Sequence, residues 1–68
     1  MTNSVELEYE MKKAKITKRQ LAAQLRISSQ CLYNKIKGSS EFKAGEITSI
    51  CECLNLSNKR KEEIFFAR

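Results

Sequence analysis

Five side chains that can form hydrogen bonds recur at helical spacing between residues 29 and 37. They are Ser29, Gln30, Tyr33, Asn34 and Lys37. Residues three and four positions apart lie on one face of a helix, so we expect these side chains to point the same way. The pattern predicts a polar binding face on a short helix. The alternative is a face that is merely solvated, since any exposed helix carries polar residues.

The chain offers few groups for catalysis or for a metal ion. It contains no His, no Gly-rich phosphate loop and no plausible acid–base pair. Its three cysteines, Cys31, Cys51 and Cys53, include no CxxC pair, and the last two would point to nearly opposite sides of one helix. We therefore expect buried thiols in a reducing cytoplasm, no enzyme activity, no metal site and no cofactor.

Two short amphipathic segments, about 17–25 and 29–38, must position the polar face. Each has apolar residues at helical spacing, namely Leu21, Ala22 and Leu25 in the first and Leu32 and Ile36 in the second. Thr17 and Ser28 are candidate N-caps, because a side-chain oxygen there can accept from unpaired backbone N–H groups. Two helices joined by so short a turn must cross at a steep angle. The stretch therefore predicts a helix-turn-helix.

The turn between these segments contains an unusual residue. The residue that follows the end of such a helix often has a positive φ, where Gly costs least. Here that residue is Arg26. We predict a left-handed Arg26, at a cost of roughly 1 kcal/mol relative to Gly. Its charge would compensate by reaching a phosphate or the C-terminus of the preceding helix.

The whole chain predicts one all-α domain over residues 1–68. We expect five helices at about 4–13, 18–25, 29–37, 44–54 and 59–67. Ser4 is the expected N-cap of the first helix, Ser57 or Asn58 caps the last, and Gly38 ends the third. The expected core residues are apolar ones at helical spacing, among them Leu7, Met11, Ile16, Phe42, Ile47, Ile50, Cys51, Leu54 and Leu56.

The charge of the chain favours an acidic partner. The formal net charge is +5, from 13 Lys and Arg against 8 Asp and Glu, and the pI is about 9.3. A cluster of basic residues precedes and enters the second helix: Lys12, Lys13, Lys15, Lys18 and Arg19. Nucleic acid is the first expected partner of such a chain. No stretch is long or apolar enough for a membrane span, so we expect a cytoplasmic protein.

Three sequence segments resemble a known family. The run KITKRQLAAQLRISSQCLYNKIKG is similar to the helix-turn-helix of the small phage repressor and Cro family. FKAGEITSICECLNLS resembles the fourth helix of such domains, and KRKEEIFF is similar to their last helix. The resemblance covers about residues 7–66, with Arg26 standing where the family usually has Gly. It implies a compact, lambda-repressor-like domain with five helices and its motif at about 17–38.

The resemblance also implies a sequence-specific regulator that binds double-stranded DNA at a prophage operator. The residues that would contact base edges are Ser29, Gln30, Tyr33 and Asn34. The amides of Gln30 and Asn34 can pair with adenine N6 and N7. The residues that would contact phosphates are Thr17, Lys18, Arg19, Ser28, Lys37 and Lys43. A palindromic operator matches a homodimer, at least on DNA. Phe65 and Phe66 are adjacent, so both cannot face one core, and they are candidate dimer contacts.

A second interpretation keeps the fold but changes the partner. An anti-repressor or adaptor could use a helix-turn-helix to bind another protein instead of DNA. We expect no small-molecule effector in either case. The two interpretations differ in the expected salt dependence of DNA binding, which is steep only when cations contact phosphates.

Overall fold

The computed structural model describes residues 2–66, and five helices account for most of them. The helices are α1 (Ser4–Lys13), α2 (Lys18–Leu25), α3 (Ser29–Lys37), α4 (Ala44–Leu54) and α5 (Asn58–Phe65). No strand occurs among the described residues. The expected all-α, five-helix architecture is therefore confirmed. The expected continuation of the last helix to Ala67 lies outside the described residues.

The apolar faces of all five helices meet in one core. α2 packs most extensively, against α3 and α4, and α5 packs against α1 and α4. The fully buried large side chains come from every helix: Leu7, Leu21, Leu32, Ile50 and Ile64. Phe42, in the connection before α4, packs edge-on against Phe65 with ring centroids 5.4 Å apart. The radius of gyration is 10.5 Å, close to the ~11 Å expected of a compact domain of this length.

Local side-chain caps explain where the helices begin. The Thr17 hydroxyl accepts from the Gln20 N–H at 3.1 Å, and the Gln20 side chain accepts from the Thr17 N–H at 2.9 Å. This reciprocal pair is a capping box at the start of α2. Ser28 and Ser57 accept in the same way from the backbone three residues later and begin α3 and α5. The caps predicted at Thr17, Ser28 and Ser57 are confirmed.

The predicted cap of α1 was wrong by one residue. Asn3, not Ser4, is the N-cap, and its side chain accepts from the Glu6 N–H at 3.2 Å. Both residue types make good caps, so composition alone does not choose between them. The Asn3 N–H also donates to the Ile64 carbonyl on α5.

Among residues 2–66, three non-glycine residues adopt the left-handed conformation. Arg26 has φ 59° and ψ 39°, which confirms the left-handed turn expected from the sequence. Lys15 (φ 59°) and Asn55 (φ 55°) do the same after α1 and α4, and neither was predicted. Gly38 (φ 97°) also adopts a positive φ, without the steric cost of a Cβ. Basic side chains thus stand in both turns that flank α2.

Arg60, on α5, forms ion pairs with α1. Its guanidinium contacts Glu6 and Glu10 on α1, each at 2.8 Å, and Glu63 on its own helix at 2.9 Å. Hydrogen bonds to Glu63, Glu6 and Glu10 raise the pKa of Arg60 further above its already high value. The network gathers carboxylates on the α1–α5 side of the molecule.

The expected burial of the thiols needs correction. Cys31, Cys51 and Cys53 are free and all three are only half-buried. Cys51 lies at the edge of the α4 stripe that was expected to be fully buried, and burial raises the pKa of its thiol. Across residues 2–66, no helix has both the length and the apolar character needed to cross a membrane.

Candidate functional site

The orientation of α3 decides which of its side chains face outward. Leu32, Lys35 and Ile36 are buried against the rest of the domain. On the opposite side, Ser29, Gln30, Tyr33 and Lys37 are exposed and Asn34 is half-buried. The structure therefore brings all five residues of the predicted polar face onto the outward side of one helix. We call these five residues the outer face of α3.

Two amides on this face are hydrogen-bonded to each other. Gln30 Nε2 donates to Asn34 Oδ1 at 3.1 Å across one helical turn. The bond uses one of the two amide hydrogens of Gln30 and one acceptor position of Asn34. Gln30 keeps an oxygen and one N–H, and Asn34 keeps its NH₂ group, for an external partner. The pair therefore holds both side chains in place without exhausting their hydrogen-bonding capacity.

A second pair orders the end of the same face. Lys37 Nζ lies 5.2 Å from the centroid of the Tyr33 ring. At an exposed site a cation over an aromatic ring contributes about 0.5–1 kcal/mol. This modest interaction keeps the ammonium beside the ring while leaving it accessible to an anion.

The start of α2 carries three of the residues predicted to contact phosphates. Thr17, Lys18 and Arg19 are all exposed. Lys18 Nζ lies 3.4 Å from Glu8 Oε1 on α1, and both side chains are nearly half exposed. An exposed pair of this kind contributes only about 0–1 kcal/mol, so Lys18 can exchange Glu8 for another anion. The first N–H groups of a helix also favour anions.

Two more of the predicted phosphate contacts, Ser28 and Lys43, lie at the starts of α3 and α4. The Ser28 hydroxyl already accepts from the Cys31 N–H at 3.0 Å, so its structural task is to cap α3. The Lys43 N–H donates to Glu46 Oε1 at 2.8 Å, and Lys43 is exposed. Exposed cations thus occur before and after α3 along the chain.

A buried ion pair beneath α3 was not predicted. Lys35 is only 7% exposed, and its Nζ lies 3.1 Å from both Glu46 Oε1 and the Glu41 carbonyl. The ammonium also lies 6.0 Å from the Phe42 ring centroid. The pair joins α3 to α4 and to the connection between them. The sequence did contain a signal for this burial. Lys35 follows Leu32 by three positions, which places it on the apolar side of the helix.

The electrostatics of this pair favour an ionised carboxylate. Burial by itself raises the pKa of Glu46, but hydrogen bonds from the Lys43 N–H and the Lys35 ammonium act in the opposite direction. The net effect lowers the pKa of Glu46 below its ordinary value. Lys35 is therefore a structural cation, distinct from the exposed lysines around it.

The two candidate dimer residues have different environments. Phe65 is 4% exposed and packs against Phe42 in the core, so its ring is already covered within the monomer. Phe66 is 57% exposed and remains available for a partner. Of the two candidate dimer contacts, Phe65 is therefore excluded by its burial, and Phe66 stays a prediction.

No protein-family model, curated protein or solved structure was found that matches this chain. Among residues 2–66, no group of three or more Cys, Asp or Glu side chains is arranged to hold a metal ion.

Proposed function

We propose that this chain is a sequence-specific DNA-binding transcription regulator in which α2 and α3 form a helix-turn-helix. The outer face of α3 carries the proposal. It presents two amides, a hydroxyl, a phenol and the ammonium of Lys37 outward, and further exposed cations lie at Lys18 and Arg19 on α2 and at Lys43 before α4. The resemblance to phage repressor and Cro proteins supports the same function.

The dimensions of α3 suit the major groove of DNA. The helix has nine residues, so it is about 13 Å long. A major groove about 12 Å wide admits a single α-helix and exposes a different donor and acceptor pattern for each base pair. The buried side of α3 rests on the domain, which leaves the outer face as the surface that would meet base edges.

The paired amides suit adenine. Adenine offers a donor at N6 and an acceptor at N7 in the major groove, and an amide with both groups can bind it at two points. Gln30 keeps one oxygen and one N–H after bonding to Asn34, so it can form both bonds. Ser29 would donate or accept near the start of the helix, and Tyr33 would contact a thymine methyl or a phosphate.

The flanking cations suit the DNA backbone. Thr17, Lys18 and Arg19 would contact phosphates on one side of α3, and Lys37 and Lys43 on the other. The Lys18–Glu8 pair would open on binding, because an exposed ion pair of this kind contributes only about 0–1 kcal/mol. Such contacts fix the position of α3 on the duplex.

The resemblance to phage repressors also suggests the DNA target and the oligomeric state. The chain would bind a palindromic prophage operator as a homodimer, without a small-molecule effector, in the cytoplasm of the host cell. The competing function is a module that binds another protein. The exposed apolar residues Val5 and Tyr9 on α1 are the specific observation in its favour.

The salt dependence of duplex binding separates these two functions. We expect the logarithm of the binding constant to fall linearly with the logarithm of salt concentration, with a slope of about −4 per monomer for the four cations Lys18, Arg19, Lys37 and Lys43. Lys18→Ala should reduce the slope by about 1 unit. Lys59→Ala, at an exposed site on α5, is the matched control and should leave it unchanged. A slope near zero would favour the protein-binding module.

A further inference from the structure

α1 has a second apolar side that the domain does not cover. Its inner residues Leu7 and Met11 belong to the core. On the outer side, Val5 is 72% exposed and Tyr9 is 58% exposed, one helical turn apart. Two exposed hydrophobic residues at this spacing form a stripe on a helix surface. These adjacent residues leave apolar area on α1 that a partner could cover.

Two shallow grooves adjoin this stripe. One is lined by Val5 and Tyr9, and the other has Met11 and Ile16 as its apolar floor. Glu8 and Lys12 line both. The second groove has a volume of about 300 Å³, which is room for aliphatic side chains of a partner. The two grooves and the stripe form one continuous surface along α1.

We propose that this surface binds the same surface of a second copy, with the two α1 helices antiparallel. Glu8 and Lys12 are one turn apart, so a two-fold axis beside Glu10 would place each Glu8 opposite Lys12 of the other copy. The same axis brings the two Tyr9 rings together near the centre. It also directs each Val5 toward the groove floored by Ile16. A parallel arrangement would place like charges together.

The arrangement fulfils the requirement of a closed dimer, in which one patch is complementary to itself. Glu8 is already 3.4 Å from Lys18, but that exposed pair contributes little and can be exchanged. Most of the surface lies on α1, but its second groove is also lined by Thr17 and Lys18, two of the proposed phosphate contacts. The inference gives an interface to the homodimer of the proposed function, and it can be tested without DNA.

Sedimentation equilibrium of the full chain at low salt tests the proposal, over about 10 µM to about 1 mM protein. We expect a species of twice the 7.8 kDa monomer mass. Glu8→Lys and Lys12→Glu should each raise the dissociation constant at least tenfold, because each creates two like-charge contacts across the two-fold axis. The double variant should restore the wild-type constant, since the opposite charges face each other again.

Matched variants make each outcome decisive. Glu62→Lys makes the same charge change at an exposed site on α5 and should leave the dissociation constant unchanged. Tyr9→Ser should raise it at least tenfold and serves as the test if a charge reversal unfolds the chain. A wild-type chain that stays monomeric at about 1 mM would overturn the proposal. So would a double variant that fails to recover, or a dimer that Phe66→Ser alone disrupts.

Discussion

Polar side chains on the two faces of α3 have opposite environments, buried and paired on one face and exposed on the other. Lys35 and Lys37 are two positions apart, yet Lys35 is buried and ion-paired while Lys37 is exposed beside an aromatic ring. Glu46 and the Glu41 carbonyl accept from Lys35 and fix its position. On the outer face, Gln30 and Asn34 bond only to each other and retain donors and acceptors.

The difference shows which polar groups the fold needs and which it leaves available. A buried ammonium without a carboxylate would be costly, so Lys35 and Glu46 depend on each other. The outer face has no comparable role in stability, because its contacts are exposed and weak. Its hydrogen-bonding capacity is therefore available to a partner. The following four predictions test this contrast, from the largest expected effect to the smallest.

Lys35→Met should lower the free energy of unfolding by about 2–3 kcal/mol, because it leaves the largely buried Glu46 carboxylate without its cation. Lys37→Met is the matched control on the other face and should change that free energy by no more than about 0.5 kcal/mol. Urea unfolding followed by circular dichroism measures both. Equal effects of the two substitutions on the free energy of unfolding would contradict the idea that only the buried face of α3 contributes to stability.

Asn34→Ala should weaken binding to the cognate DNA site by about 1–3 kcal/mol and relax the preference at one base pair. Lys18→Ala should weaken binding to all sequences alike, because a phosphate contact carries no base information. Competition titrations with cognate and random duplexes measure the ratio of affinities. The assignment of Asn34 to base contact fails if its variant keeps the wild-type ratio.

Arg26→Gly should stabilise the domain by about 1 kcal/mol, because Gly adopts the observed positive φ without a clash between Cβ and the backbone. The same variant should bind DNA more weakly if the guanidinium reaches a phosphate. Thermal unfolding measures the first effect and a duplex titration the second. A loss of stability would show that the Arg26 side chain contributes more than its strained backbone costs.

The Glu46 carboxylate should make stability depend on pH. Its pKa is lowered in the folded chain, so its contribution is complete above the unfolded pKa and is lost as the pH falls through the folded pKa. The free energy of unfolding of wild type relative to Glu46→Gln should therefore shrink below about pH 5. Urea unfolding at several pH values measures this. A difference that is constant with pH would contradict the assignment.

Features that depend on neighbouring residues could be predicted from the sequence. The bounds of α2 and α3 follow from caps at Thr17 and Ser28, and the left-handed Arg26 follows from its place after a helix end. The outward direction of the polar face follows from the 3.6-residue period. All of these need only the identity of residues within one or two turns.

Features that depend on distant residues could not be predicted. Arg60 contacts Glu6 and Glu10 across 54 and 50 positions of sequence, and no local pattern pairs them. The hydrogen bond from the Asn3 N–H to the Ile64 carbonyl likewise joins residues that are far apart in the sequence. The burial of Lys35 was not predicted, because lysine is usually exposed and only the packing of α4 against α3 supplies its carboxylate.

The central claim is that the outer face of α3 contacts DNA bases, and a selection of bound duplexes from a random pool tests it most directly. The wild-type chain should select a palindromic consensus with A·T pairs at symmetric positions, and Asn34→Ala should lose the preference at one position in each half. A selected pool with no consensus, or one that is identical for wild type and Asn34→Ala, would contradict the account.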